Sequence, residues 1–524
     1  MHNNETNIKQ TRSYKINKIK VKSETSNTGF LKTILIMSLL ALEFVLFILA
    51  YLYIATFIEY YLIISIILTF ISCLHVICSD RNSLSKPVWV LFLIITFAFG
   101  YIFYFLSDER VFWKNSKKRY NKILTKLNKL KESTPQIPNK NNPIAQIKNY
   151  LLASGNFNSY TNTSSTYFED GSQFIFELIE KIKSAKKFIF LEFFIISDGK
   201  LFNKILNILK ERAKNNIDVK IICDDLVCHR TLSRKTRKEI LSAGIKLKFF
   251  NKLLPRVSLF TNFRDHRKIA VIDGEFAFTG GINLADEYIN EKKVHGYWKD
   301  CGIMLNGPAV NSFTLTFLAT WDFLNKTDTD YNKYLSRTNK KENNAIVIPY
   351  FDGLEYEANI GKDTYINLIS LASEKIYIMS PYLVLDDAIK NLLEIKARSG
   401  VDVRIIIPDI ADKKLVYIQT RNVAEKLMLK GIKLYTLKNS FVHSKLLLTE
   451  SAGIVGSINF DLRSFYQQFE CAVLITDEKT TSRINEDFIN TFKKSNIITK
   501  ENANRRFLTF RIIAGITSLI SPFM

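Results

Sequence analysis

The second half of this chain repeats its first, and that repetition constrains the fold more than any other feature. Lys187-Phe188-Ile189-Phe190-Leu191 matches Lys375-Ile376-Tyr377-Ile378-Met379. Asp218-Val219-Lys220-Ile221-Ile222 matches Asp402-Val403-Arg404-Ile405-Ile406, and Gly244-Ile245-Lys246-Leu247 matches Gly431-Ile432-Lys433-Leu434. Then His266-x-Lys268 matches His443-x-Lys445, and Gly280-Gly281-Ile282-Asn283 matches Gly456-Ser457-Ile458-Asn459. Last, Asp300-Cys301-Gly302-Ile303-Met304 matches Glu470-Cys471-Ala472-Val473-Leu474. The blocks keep their order while the offset shrinks from 188 to 170, as expected if loops vary and strands do not. Each unit alternates short apolar strands with amphipathic helices and ends in a hairpin carrying His and Lys, which is an α/β pattern. Two such units pack as pseudo-twofold partners, and a site between them receives matched residues from both.

Three apolar runs precede the repeat, at about residues 33–57 (with Glu43 inside), 60–78 and 87–106. Each is long enough for a roughly 30 Å hydrocarbon core at 1.5 Å per residue. The first 29 residues are basic, with Lys9, Arg12, Lys15, Lys18, Lys20 and Lys22 against Glu5 and Glu24. A cleavable signal peptide is not expected, because no small-residue cleavage site follows the first run. The segment after the third run is also basic: Arg110, Lys114, Lys117, Lys118, Arg119, Lys122, Lys126, Lys129 and Lys131. The positive-inside rule places both flanks in the cytoplasm and so requires an even number of crossings. The expectation is that the second and third runs cross, joined by Asp80-Arg81-Asn82-Ser83, with the Glu43 run in the interface. The stretch up to about Glu132 is either a basic helix on anionic headgroups, at about 1 kcal/mol per Lys, or a solvated linker helix.

Lys and Arg total 73 against 50 Asp and Glu, a formal charge of +23, which calls for an anionic partner, nucleic acid or membrane. The apolar runs favour the membrane. Six Cys in 524 residues exclude a disulfide scaffold, and no CxxC pair offers zinc or redox chemistry.

The chemistry-bearing residues lie at matched positions. In strand geometry His266 and Lys268 point to one side, as do His443 and Lys445. Two imidazoles and two ammoniums converging between the units make a phosphate site. Lys supplies point charge, a neutral His attacks phosphorus, and a protonated His serves a leaving oxygen. Asn283 and Asn459, in Gly-containing turns, are candidate amide donors to the same oxygens. A catalytic His needs its other ring nitrogen held by an acceptor, for which Asp300 and Glu470, opening matched strands, are the candidates. His229 is expected at a helix start or the surface, His295 near the cleft, and Glu192 at a strand end.

The doubled His-x-Lys with Gly-x-x-Asn resembles the phospholipase D superfamily, defined by two His-x-Lys-x4-Asp motifs. The first copy is complete with Asp273. The second has Glu450 in place of Asp and one residue fewer before Gly456. The chain from about residue 30 is similar to bacterial cardiolipin synthases in Lys86-Pro87, Tyr297-Trp298-Lys299-Asp300, Gly307-Pro308-Ala309-Val310 and Ser380-Pro381-Tyr382. Gly400-Val401-Asp402-Val403-Arg404, Asn459-Phe460-Asp461-Leu462-Arg463-Ser464 and Ser518-Leu519-Ile520-Ser521-Pro522-Phe523 extend the similarity. This resemblance implies two pseudo-twofold-related α/β/α domains of phospholipase D type behind transmembrane helices, in a multi-pass protein of the cell membrane with cytoplasmic catalytic domains. It implies transfer of a phosphatidyl group between two phosphatidylglycerols through a phosphohistidine, giving cardiolipin and glycerol, with no metal or other cofactor. His266, Lys268, Asp273, His443, Lys445 and Glu450 are the implied catalytic residues. The complete first motif assigns His266 as nucleophile and His443 as acid/base; the reverse assignment uses the same residues. Other open readings are hydrolysis to phosphatidate, transfer to another alcohol, a nuclease, and a membrane scaffold with a decayed site. Nucleic acid is not expected as a partner. The expected organisation is a leader (1–29), a membrane anchor (30–106), a basic linker (107–155), two domains (156–340 and 341–500) and an interfacial tail (501–524).

Overall fold

A computed structural model describes residues 38, 41–42, 44–46, 48–50, 52–53, 61–79, 85–106, 109–130, 143–252, 263–336, 345–499 and 508–521. The basic leader, the turn Asp80-Arg81-Asn82-Ser83 and most of the Glu43 run lie outside these residues, as do Lys131, Arg505 and Arg506.

The second and third apolar runs form helices α1 (Tyr61–Cys78) and α2 (Lys86–Leu106), packed around Val76, Trp89, Leu93 and Tyr104. Trp89 and Tyr104 are fifteen residues apart in α2, a spacing that puts them about 22 Å apart on a straight helix. Their ring centroids are 5.1 Å apart, so α2 doubles back on itself. Among the described residues no helix is long and apolar enough to cross a membrane. The two crossings expected at these runs are not shown by the described residues. Large apolar side chains on α1, including Ile63, Ile67, Phe70 and Ile71, are nonetheless more than half exposed.

Residues expected as linker are instead packed. Helix α3 (Glu109–Leu130) buries Tyr120 and Leu127, and Arg119 Nη2 donates to Phe323 O at 2.7 Å. Helix α4 (Pro143–Gly155) buries Ile144, Ile147 and Leu151, and Tyr150 Oη donates to Asp363 at 2.7 Å in the second repeat.

The first repeat runs β1 (Ser164–Phe168), α5 (Gly171–Ser184), β2 (Phe188–Phe193), α6 (Lys200–Lys214), β3 (Asp218–Asp224), α7 (Asp225–Thr231) and α8 (Arg234–Ser242). It continues β4 (Lys246–Phe250), β5 (Arg264–Asp265), β6 (Lys268–Ile272), β7 (Phe276–Gly280), β8 (Tyr297–Lys299), β9 (Gly302–Asn306) and α9 (Val310–Asn325). Its main sheet has the order β1-β9-β7-β6-β2-β3-β4. The second repeat begins β10 (Val347–Asp352), α10 (Ile360–Leu371), β11 (Lys375–Met379), β12 (Leu383–Val384), α11 (Asp387–Arg398), β13 (Asp402–Pro408) and α12 (Lys414–Met428). It continues β14 (Lys433–Leu437), β15 (Ser440–Val442), β16 (Leu446–Thr449), β17 (Gly453–Gly456), β18 (Phe460–Asp461), α13 (Leu462–Tyr466), β19 (Gln468–Ile475), α14 (Glu478–Lys493) and β20 (Ser495–Ile497). Here the sheet order is β10-β19-β17-β16-β11-β13-β14-β20, the same plan with an added edge. The central strands are buried along their length, consistent with helices on both faces.

Two short ladders join the repeats. Strand β5 pairs in parallel with the start of β19, and β15 pairs in parallel with β8. Each histidine segment of one repeat thus runs alongside the segment that opens the acidic strand of the other.

The fourth motif position has a structural task in both copies. Asp273, at φ 56° just past β6, accepts from the amides of Lys186, Lys187 and Phe188 at 2.7–2.8 Å. Glu450, just past β16, accepts from the amides of Ser373 and Lys375 at 2.6 and 3.2 Å. Both carboxylates pin the backbone that opens the first parallel strand of their repeat. They stand at the end of β6 or β16 away from the His-x-Lys pair, about 15 Å along the strand. The expected grouping of Asp273 and Glu450 with the catalytic residues is therefore corrected, and the extra methylene of Glu450 is absorbed by its loop.

Helix α15 (Leu508–Ile520) docks on α12, where buried Gln419 donates to Ala514 O at 2.5 Å and to Thr517 Oγ1 at 2.6 Å. Its Ile512, Ile513 and Ile516 remain exposed.

Replacing Asp273 with Ala strands three amide donors and should lower unfolding stability by about 2–4 kcal/mol, measured by denaturant titration. Glu450→Asp should cost less than about 1 kcal/mol, because the carboxylate survives; a larger loss than for Asp273→Ala would contradict the pinning role.

Candidate active site

The joining ladders bring the two histidines together. His266 N donates to Phe469 O at 2.9 Å, the residue before Glu470, and His443 N donates to Lys299 O at 2.7 Å, the residue before Asp300. This register crosses the carboxylates between repeats. His266 Nδ1 lies 2.9 and 3.1 Å from the two carboxylate oxygens of Glu470, and His443 Nδ1 lies 2.7 Å from Asp300 Oδ2. Both carboxylates are fully buried and both histidines are 7% exposed. Nδ1–H facing a carboxylate leaves Nε2 as the reactive nitrogen of each ring.

The acid pairs are built differently. A Cβ on Gly281 would meet Asp300 Oδ1 at 2.1 Å, so the first repeat needs glycine there to seat its carboxylate. At the matched place Ser457 Oγ donates to Glu470 Oε2. The serine hydroxyl occupies space that the glycine leaves to Asp300, and the longer Glu470 is held by it.

The lysines lie beside the histidines as the period of two requires. Lys268 Nζ donates to His266 O at 2.5 Å, and Lys445 Nζ donates to His443 O and stands 2.9 Å from His443 Nδ1. Burial lowers the Lys268 ammonium to about 7, with Lys445 adding to the effect and Glu470 opposing it. Burial likewise lowers Lys445 to about 8. Burial, then Lys445, take His443 down to about 4 against the pull of Asp300. His266 is pushed well below the usual imidazole range by burial and then by Lys268 and Lys445. Burial raises the Glu470 carboxyl to about 7, with Lys268 opposing it. Without an anion the cleft disfavours its own positive charge, and both rings are neutral at pH 7. A phosphodiester would restore the ammoniums and raise the basicity of the rings.

The amides are engaged. Asn283 Oδ1 accepts from Ile195 N at 3.0 Å and its Nδ2 donates to Tyr288 Oη at 2.7 Å, so this residue braces the turn. Asn459 Nδ2 donates to Ser464 Oγ at 3.2 Å, while its buried Oδ1 has no partner among the described residues.

Aromatic rings set the histidine planes, a role not anticipated from sequence. Phe194 packs edge-on to His266 at 5.0 Å. Tyr288, Trp298 and Phe441 surround His443 at 5.2–5.7 Å. Trp298 was visible as part of Tyr297-Trp298-Lys299-Asp300, whereas nothing in the spacing marked Phe194. His295 lies near Trp298 and Phe441, one layer from His443. His229 is buried on α7, bonded to Asp225 O at 2.6 Å, and is not at the surface as expected. Glu192 is fully buried within β2, 2.9 Å from Arg267, the residue between His266 and Lys268, which points the other way.

Residues 178–294 and 365–492 match the family described as cardiolipin synthase, PLD-like domain. An uncharacterized protein of Streptococcus mutans is 35% identical over 86% of this chain and 99% of its own length. A cardiolipin synthase of Listeria innocua is 31% identical over 89% of this chain and 99% of its own length. Among solved structures, phosphatidylserine synthase of Haemophilus influenzae superposes with a TM-score of 0.57 at 14% identity, covering 73% of this chain and 100% of that one, a likeness of fold. With matching domains in both repeats and a relative matched over nearly its whole length, the chain belongs to the bacterial cardiolipin synthase family of the phospholipase D superfamily, a family of phosphatidyltransferases.

Proposed function

We propose that the crossed histidines transfer a phosphatidyl group from one phosphatidylglycerol to another, giving cardiolipin and glycerol. The observation that carries this reading is the pair of His–carboxylate hydrogen bonds across the repeats, which fixes two reactive Nε2 atoms beside two lysines. His266 Nε2 attacks phosphorus. The bond from phosphorus to the glycerol oxygen breaks, and that oxygen leaves with its electron pair and takes the Nε2 proton of His443, whose ring the bound phosphodiester keeps protonated. The acceptor's glycerol hydroxyl then gives its proton to His443 Nε2 and attacks phosphorus, and the phosphorus–nitrogen bond to His266 breaks. Lys268 and Lys445 neutralise the non-bridging oxygens through both steps. The Nδ1 protons stay on the rings, donated to Glu470 and Asp300, which hold the tautomers and steady the positive charge on each ring.

The membrane reading takes a modified form. The exposed apolar faces of α1 and α15 sit in the bilayer, and α2 re-enters it. Ile64→Glu with Ile67→Glu in the full chain should move the protein out of the carbonate-resistant membrane fraction; unchanged retention argues against α1 as an insertion element.

His266→Ala and His443→Ala should each lower cardiolipin formation by about 10³-fold or more. A brief incubation with labelled phosphatidylglycerol, quenched in alkali, should leave label on the His443→Ala protein and none on His266→Ala. Label on His266→Ala alone would reverse the two roles, and phosphatidate without cardiolipin from the unaltered chain would overturn the synthase reading.

The lysine shifts set a pH dependence. Lys268 and Lys445 sit at about 7 and about 8 in the empty cleft and rise when an anion binds. Binding therefore takes up protons, and affinity falls as pH climbs through that window. Calorimetry with soluble glycerophosphoglycerol in buffers of different ionisation enthalpy should show uptake of about one proton at pH 8. Equal heats in all buffers would contradict the charge reading.

A further inference from the structure

Cardiolipin formation needs two anionic lipids in one cleft, yet Lys268 and Lys445 face a single phosphodiester. We infer that Arg463 and Lys413 form a second phosphate subsite beside the reacting pair, which holds the remote phosphodiester of the acceptor lipid. This deepens the synthase reading and rests on it.

Arg463 is the second residue of α13, directly after β18, and is half-buried. With the Gln468 amide turned to satisfy both its ends, its nitrogen donates to Glu470 Oε1 at 2.9 Å and its oxygen accepts from Arg463 Nε at 3.2 Å. One side chain thus links Arg463 to the carboxylate that holds His266, and the outer guanidinium nitrogens are left for a ligand. Lys413 opens α12 with its ammonium 5.3 Å over the Tyr382 ring. The neighbouring carboxylates are already occupied. Asp412 accepts from Tyr382 Oη and from Lys413 N, and Asp461 caps α13 through Ser464 N at 2.7 Å. Among the described residues Arg463 and Lys413 are in no ion pair. Both charges are nonetheless felt at His266, where they add to those of Lys268 and Lys445.

The repeat shows that this pair serves something needed once. Counting on from the matched asparagines, Arg463 corresponds to Glu287, an opposite charge. Chemistry at the reacting phosphorus is built from both repeats, whereas the acceptor's remote phosphate has no counterpart on the departing glycerol. A planar guanidinium and a mobile ammonium are suited to a second phosphodiester one glycerol bridge away.

The test compares two acceptors in the full chain: phosphatidylglycerol, read as cardiolipin, and labelled glycerol, read as exchange into phosphatidylglycerol. Lys413→Ala with Arg463→Ala should lower cardiolipin formation about tenfold or more relative to glycerol exchange, with the loss in KM for the lipid acceptor. The charge-keeping pair Lys413→Arg with Arg463→Lys should restore most of the ratio, which separates recognition from misfolding. Inorganic phosphate, the free-anion source of the same chemistry, should inhibit cardiolipin formation more than exchange in the unaltered chain and equally in the alanine variant. An unchanged ratio, or equal inhibition of both reactions in the unaltered chain, overturns the subsite. An unaltered chain that exchanges glycerol yet forms no cardiolipin overturns the synthase reading and the subsite with it.

Discussion

Everything chemical in this molecule depends on two hydrogen bonds that cross between its repeats, His266 to Glu470 and His443 to Asp300. Neither repeat holds both members of a pair. The crossing follows from backbone register, because His266 N and His443 N each bond the carbonyl just before the other repeat's acid. Docking the two sheets and aligning the two imidazoles are therefore one event. A histidine whose partner lies on the opposite repeat cannot keep its tautomer if the halves separate. The docked arrangement is held elsewhere too, as where Lys299, next to Asp300, pairs with Asp487 at 2.7 Å.

That arrangement buries two ammoniums and two imidazoles side by side. Burying charge without its counter-ion is unfavourable, and the protein answers by weakening the charge: Lys268 and Lys445 fall to about 7 and about 8. The carboxylates do not cancel the deficit, because Glu470 is itself raised to about 7 by burial. The missing component is an anion, which the substrate brings. A site preloaded in this way binds a phosphodiester most strongly where the lysines regain their protons, so recognition and catalysis draw on the same electrostatic imbalance.

Much of this was legible in the sequence. Six ordered blocks gave the two α/β units, the His-x-Lys spacing put ring and ammonium on one side of a strand, and the matched positions of Asp300 and Glu470 marked them as histidine partners. Which acid serves which histidine was not legible, since that is settled by ladders of two or three residue pairs, too short to carry a pattern. Asp273 and Glu450 were misjudged because motif membership does not say which end of a strand a residue occupies. Helix α3 had the composition of a linker, and only tertiary packing of Tyr120 and Leu127 shows that it is docked. The third apolar run had the length of a crossing, but length says nothing about the bend that brings Trp89 onto Tyr104.

A pseudo-symmetric scaffold must still run an asymmetric reaction, in which one ring attacks and the other handles a proton. The backbone cannot make that distinction, since it presents the two histidines alike. Side chains at matched positions do. Gly281 with Asp300 faces Ser457 with Glu470, so one histidine rests on a carboxylate seated against glycine and the other on a carboxylate that burial pushes toward neutrality. Tyr288, which packs on His443, corresponds to the much smaller Ser464, and Glu287 corresponds to Arg463. Each exchange alters polarity or volume at one ring and leaves the other untouched. Duplication supplied the shared phosphate chemistry, and divergence at these few positions separates the environments of two otherwise equivalent imidazoles. The substitutions of greatest functional consequence should therefore be those that make the repeats alike again at these positions, not those that merely loosen either one.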